Sequence, residues 1–249
     1  MDIRDVIKVE LGGEVTSFRY PHFTQGYQPT YEMPPPSTIY GHICSTFGGY
    51  LPAERLNRLQ FGYSFKHAGK FIDYKEHLHF DDPIQPFPFD RELLFRPQLT
   101  LYLTDMSLRD SFQNPHYMVI LGRSQDLMTY MNIEQIQLRR EERGYFEHTL
   151  LPVWMAPRLA RNVTVATMAR YIDPSRRPHW QTYALLQDVA IWPPISSEES
   201  EAMDEDEVED LMLEGDEKRI EIWIDPTSPE YPKQPGLKRA VWLHRFTGE

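Results

Sequence analysis

The chain opens on IRDVIKVEL, residues 3–11, where Val6, Ile7, Val9 and Leu11 form a strand-like apolar run. Residues 15–36 (VTSFRYPHFTQGYQPTYEMPPP) are rich in proline and aromatics and have no helical period, which predicts an ordered loop. Ser37 and Thr38 follow three prolines. Either hydroxyl can cap a helix running through IYGHICSTF and stopping at Gly48-Gly49. Residues 60–80 alternate aromatic and polar positions on both sides of His67-Ala68-Gly69-Lys70, a hairpin signal, and 81–89, with three prolines, read as an exposed connection. LTLYLT (99–104) predicts a strand, SLRDSFQN (107–114) a short helix, and YMVILG (117–122) and NIEQIQL (132–138) two more strands. Strand, helix, strand, strand, helix, strand is the order of an α+β, ferredoxin-like (RRM-like) core with a β-hairpin inserted at about 60–98. Residues 1–140 would form that domain. Residues 141–249 would form a small β-rich C-terminal portion, with strand candidates at 145–151, 180–191, 219–224 and 239–246.

Composition supports a packed protein, with 41% hydrophobic and 13% aromatic residues. No apolar run approaches the roughly 18 residues of a membrane span, and MDIRDVIKVELGG lacks a signal core, which fits a cytoplasmic protein. Cys44 is the sole cysteine, so neither an internal disulfide nor a Cys-based zinc site is expected. The net charge of −11 argues against nucleic acid only at first sight. Glu198 to Glu217 holds twelve acidic residues and no basic one, so the remainder carries −11 + 12 = +1. This acidic stretch, 196–218, reads as a solvated insertion, or as a contact for a basic partner. Arg139 to Arg177 holds eight arginines against Glu141, Glu142, Glu147 and Asp173, the local positive field that a phosphate surface needs.

The candidate chemistry is that of single-stranded RNA binding, which uses phosphate contacts, base stacking and hydrogen bonds to base edges. Arg19 offers a planar fork for phosphate or base. Tyr20, Phe23, Tyr27 and Tyr31 can stack bases or cover the core beneath their loop. Ser37, Thr38 and Gly41 sit at a helix start, an anion site by its free N–H groups as well as a capped end. Gly122-Arg123-Ser124-Gln125-Asp126 follows a predicted strand. Arg123 and Gln125 can read phosphate or base, with Ser124 between them and Asp126 orienting Arg123, or the segment is a tight turn with a surface ion pair. Lys66, His67, Lys70 and Lys75 on the hairpin suit an RNA backbone or guard an exposed edge. His77, His79, Asp81 and Asp82 look superficially like metal ligands, but no third ligand position is identifiable, so no metal or other cofactor is expected.

Three stretches together resemble the Cas-five family of the RAMP superfamily of CRISPR-associated proteins: TSFRYPHF (16–23), PTYEMPPPSTIYGHICSTFG (29–48) and VILGRSQDL (119–127). The likeness covers about residues 3–140, and the GRSQD form and length look most like the type I-B branch. The resemblance implies a ferredoxin-like domain with a long hairpin thumb. It also implies a task, binding the 5′ handle of the guide crRNA and capping the Cas-seven backbone filament of Cascade. Implied partners are the crRNA, Cas-seven subunits, the large Cas-eight-type subunit and, through the complex, target DNA.

In the type I-C branch, such proteins process guide precursors with a Tyr, Lys, His set. Here Phe47 stands where the tyrosine would be, and no adjacent Lys-His pair follows the thumb, although Lys66-His67 lies within it. The expectation is a non-catalytic subunit. The alternatives are a metal-independent endoribonuclease and a generic single-stranded RNA-binding module, though no stretch resembles an RNP signature.

Overall fold

A computed structural model of the chain describes residues 2–23, 26–79, 85–159, 163–194 and 222–248. The side chains of Lys75, His77, His79, Asp81 and Asp82, and the acidic stretch 196–218, lie outside the described residues. The elements follow in chain order. The first half holds β1 (Ile3–Gly13), β2 (Val15–Thr16), β3 (Tyr27–Gln28), α1 (Pro36–Phe47), α2 (Ala53–Arg58), β4 (Gln60–Lys66), β5 (Gly69–His79), β6 (Gln85–Phe95) and β7 (Gln98–Leu103). Then come α3 (Arg109–Gln113), β8 (Met128–Glu141), β9 (Gly144–Pro152), β10 (Val163–Ile172), β11 (Pro178–Trp192), β12 (Ile222–Asp225), β13 (Arg239–Val241) and β14 (His244–Arg245).

The ferredoxin-like expectation is corrected by the topology. Among the described residues strands hold 51% and helices 16%, and seven strands close into a β-barrel in the order β8-β1-β7-β4-β9-β13-β12. Two features of the chain cause this. SLRDSFQN makes a single 3-10 turn and the five-residue α3, too little for a second packing helix. The C-terminal strands then enter the sheet itself: β12 pairs with β8, and β13 with β9, while β4 and β9 meet at Ser64↔Thr149. YMVILG forms no strand, only the single bridge Ile120↔Leu127.

Period-two alternation in β1 serves two cores. Ile7, Val9 and Leu11 pack outward against Ile39, Tyr40 and Ile43 of α1 and Phe112 of α3, whereas Val6 joins Tyr102, Ile136, Leu138 and Val241 inside the barrel. Each such fully buried aliphatic stabilises the fold by roughly 1.5–3 kcal/mol. The barrel interior also encloses Lys8, which pairs with Asp225 at 3.1 Å, while the Tyr102 hydroxyl donates to the same carboxylate at 2.8 Å. Gly62 of β4 is required by the barrel wall, because a Cβ there would sit 2.5 Å from the Trp242 carbonyl oxygen.

The excursion from the barrel is a long ribbon of β5 and β6, registered from Gly69↔Phe95 to His79↔Gln85. His67-Ala68 is therefore not a reversal between β4 and β5. It is a corner that takes the chain from the barrel into a second sheet, in which β2 and β3 also pair with β6. The prolines expected to mark an exposed connection at 81–89 fall partly within β6, tolerated because two-stranded ribbons have free edges.

Candidate nucleic-acid interface

The described parts of the loop between β2 and α1, residues 17–23 and 26–35, are joined by their own hydrogen bonds. Phe18 N–H donates to Thr30 Oγ1 at 2.8 Å and Tyr31 N–H to the Phe18 carbonyl at 2.9 Å, which folds the loop onto itself. Glu92 of β6 then ties it to the ribbon, accepting from Thr30 N–H at 3.1 Å and from the Tyr27 hydroxyl. Tyr20 stacks on Tyr31 with ring centroids 3.7 Å apart. Tyr31 is buried, and its hydroxyl donates to the Thr167 carbonyl of β10, so it supports the loop from beneath. Arg19, Phe23 and Tyr27 are exposed and Tyr20 is half-buried.

Lys70 and His67 reach the same loop. The Lys70 ammonium lies 2.8 Å from Glu32 and 3.4 Å from Glu92, and His67 Nε2–H donates to Glu32 at 3.2 Å. The bonds from His67 and Lys70 hold the Glu32 carboxyl well down, to about 2, against the burial that would raise it. The bond to Glu32 raises Lys70 in return. Much of the positive charge of this corner is thus already offset by two carboxylates, while Lys66 and Arg19 stay exposed. Lys66 and His67 line a pocket of about 230 Å³ with Glu32, Met33, Phe65, His148 and Gln187. His148 carries a positive φ of 45°, a sparsely populated conformation for a side-chain-bearing residue.

The helix start differs from the capping expectation. Pro35 is the N-cap residue, and no side chain caps the helix. Proline is favoured at the first helical position, so α1 begins at Pro36 and the hydroxyls of Ser37 and Thr38 fall inside the first turn. Thr38 N–H donates to the Pro35 carbonyl at 2.8 Å and Ile39 N–H to the same oxygen at 3.3 Å. Ser37 and Thr38 are half-exposed, and at Gly41 no atom lies within 4 Å of where a Cβ would stand, which leaves the helix backbone bare there. Gly48 ends α1 in the left-handed conformation, as its position predicts.

The turn at 122–126 is built around Asp126, which is buried. Its carboxylate accepts from Arg123 N–H at 2.9 Å, from Arg123 Nη2 at 2.6 Å and from Ser17 N–H at 3.3 Å. Gly122 adopts φ 102°, and a Cβ there would meet the Ser17 carbonyl at 2.8 Å. Arg123 is therefore oriented by Asp126, while Ser124 and Gln125 are exposed.

The three stretches singled out in the sequence converge. Thr16 donates to the Leu121 carbonyl and Ser17 N–H to Asp126, which joins the first stretch to the third. His42 Nδ1–H donates to the Ile120 carbonyl at 2.9 Å, which joins the second to the third. The Tyr130 hydroxyl donates to His42 Nε2 at 2.9 Å, so this ring is neutral, and burial lowers it to about 4. The first and second meet at Phe18–Tyr31.

The strand expected at 180–191 is β11, but its partner β10 was not foreseen; their long hairpin flanks this face, where Tyr31 bonds Thr167 and Tyr40 of α1 packs edge-on against Tyr171 at 6.1 Å. Its signal was present in the arginine-rich segment 139–177 and in the turn DPSRR. Among the described residues, no group of His, Cys, Asp and Glu is placed to hold a metal ion, and no helix is long and apolar enough to cross a membrane.

No family model and no curated protein matches the chain. Solved structures do. A chain of a CRISPR RNA-guided surveillance complex is similar at 13% identity and a TM-score of 0.52, covering 77% of this chain and 92% of that one. A chain of a type III-B Cmr-beta complex, solved by cryo-EM with cognate target RNA and AMPPnP, gives 11% identity and a TM-score of 0.50 over 80% and 90%. A CRISPR protein from Archaeoglobus fulgidus gives 8% identity and a TM-score of 0.45 over 77% and 93%. At these identities the likeness is one of fold.

Proposed function

We propose that the chain is a subunit of a CRISPR effector complex that binds the 5′ handle of the guide RNA. In this reading it is of the Cas-five kind, close to type I-B, caps the Cas-seven filament and sits beside a large Cas-eight-type subunit. The observation that carries the reading is the meeting of residues 16–23, 29–48 and 119–127 on one surface, with Arg19, Tyr20, Ser37, Gly41, Arg123 and Gln125 at or near solvent. A rigid loop loses little entropy on binding, and aromatic and arginine groups on it suit single-stranded RNA. The fold shared with chains of two CRISPR complexes supports the coarser part of this reading, a component of a CRISPR effector complex.

The test is isolation of the protein from its host with its associates, followed by sequencing of the bound RNA. Short RNAs sharing one repeat-derived 5′ end are expected. Their absence refutes the proposal.

The subunit is further proposed to leave RNA uncut. His67, the ring a cleavage mechanism would use beside Lys66, has both nitrogens facing acceptors, Glu32 at 3.2 Å and the Gly69 carbonyl at 3.1 Å. A clean cut of repeat RNA in EDTA, abolished by His67→Ala, would establish the nuclease reading instead.

A further inference from the structure

The β10–β11 hairpin carries features that its fold does not require. Its turn reads Asp173-Pro174-Ser175-Arg176-Arg177. Arg176 N–H donates to the Asp173 carbonyl at 2.9 Å, and Asp173 N–H donates to the Arg177 carbonyl at 3.1 Å, the pattern of a type I turn followed by a left-handed residue. Aspartate and proline are favoured at the first two positions of such a turn. The left-handed position normally holds glycine or asparagine, yet here it is Arg176, with φ 64°. A long cationic side chain is thus held at the hairpin tip against backbone preference, with Arg177 beside it and both exposed. The carboxylate of Asp173 is occupied, accepting from Arg177 N–H at 2.9 Å and facing His179 at 3.4 Å.

Close by, Trp180 leaves 44% of its surface exposed, and its ring stacks with that of His22, in the loop before α1, with centroids 6.0 Å apart and planes 26° apart. Both rings are exposed, and stacked aromatic rings offer a face on which a base can stack. Phe23, equally exposed, lies edge-on to Tyr20 and extends the aromatic surface toward the loop.

We propose that this hairpin tip is a second contact for single-stranded RNA, stacking a base on the exposed His22–Trp180 ring pair and taking the adjoining phosphates on Arg176 and Arg177. The proposal rests on the RNA-binding reading above and extends its surface from the loop to the hairpin. An exposed aromatic stacking face beside two exposed arginines fits a nucleotide. An acidic peptide would use the arginines and leave the rings idle.

The test is fluorescence anisotropy of the full chain with a fluorescein-labelled oligouridylate of about 12 nucleotides, since base stacking is sequence-tolerant. Trp180→Ala should weaken binding roughly tenfold and Trp180→Phe much less. Arg176→Gly should lower affinity several-fold and reduce the salt slope by about 0.7, while its melting temperature holds or rises because the left-handed strain is gone. Wild-type affinity in both Trp180→Ala and Arg176→Gly, a loss confined to Arg176→Gly, or no binding by the wild type would each overturn the proposal. The handle-binding reading is judged separately, by the sequence of the co-purified RNA, so either can fail while the other stands.

Discussion

Replacing Asp126 with alanine separates a structural anchor from a surface ion pair. The Asp126 side chain is 2% exposed, that of Arg123 20%. Removal of the carboxylate strands two main-chain donors, Ser17 N–H and Arg123 N–H, and frees the guanidinium, which can partly rehydrate. Each stranded buried donor costs about 1–3 kcal/mol, and a broken buried charge pair about 3–5 kcal/mol in all. With rehydration of Arg123 the sum is about 3–4 kcal/mol. For a chain of this length that lowers Tm by roughly 10 °C. Arg123→Ala leaves Asp126 its two N–H donors and should cost only about 1–2 kcal/mol. Thermal unfolding of Asp126→Ala, Arg123→Ala and the double variant, followed by circular dichroism, measures both. If Asp126→Ala is as mild as Arg123→Ala, the carboxylate does not tether residues 16–17 to the turn, and the account of how the surface is assembled fails.

Other outcomes are equally specific. Arg19→Ala should weaken handle binding about tenfold with Tm unchanged, read by filter binding and calorimetry. His42 and His244 are both held at about 4 by burial, below the ordinary 6.5. The unfolded chain takes up protons first, so Tm should fall as pH drops from 6.5 to 4, and a flat profile would contradict their burial. Glu32, held at about 2 against an ordinary 4.5, contributes stability that is full above 4.5 and lost as pH falls toward 2. Glu32→Gln should flatten that limb in acid-titration melts. Gly62→Ala should destabilise the barrel by several kcal/mol, about 3 or more, because backbone rather than a movable side chain blocks the space. Denaturant unfolding checks this.

Local signals in the sequence were read well where local physics decides. The apolar run of β1, the helix ending at Gly48 and the strand at 98–103 depend on periodicity and one glycine. The expectation that Asp126 orients Arg123 also involved residues only three apart in the chain. What failed was non-local. Nothing in IWID or RAV announces that they lie between β8 and β9, and that insertion is what turns an open sheet into a barrel. Period-two patterning in 60–80 correctly indicated strands, but it cannot distinguish a reversal at His67-Ala68 from a corner between two sheets. Tyr31 and Tyr27 look alike in a proline-rich loop, and only the fold buries one and exposes the other. The hairpin at 163–192 was half seen because its apolar residues are mixed with exposed ones such as Val165 and Trp180.

The placement of β12 and β13 has a consequence for how the protein is made. These short strands are the last to leave the ribosome among those of the barrel wall, and until they arrive β8 and β9 each present a row of open main-chain groups. Early-synthesised parts can pack around α1 and β1, but the wall stays unsealed through most of translation. The nascent chain therefore passes through a stage in which sticky strand margins are its chief hazard, and holdase chaperones would shorten that exposure.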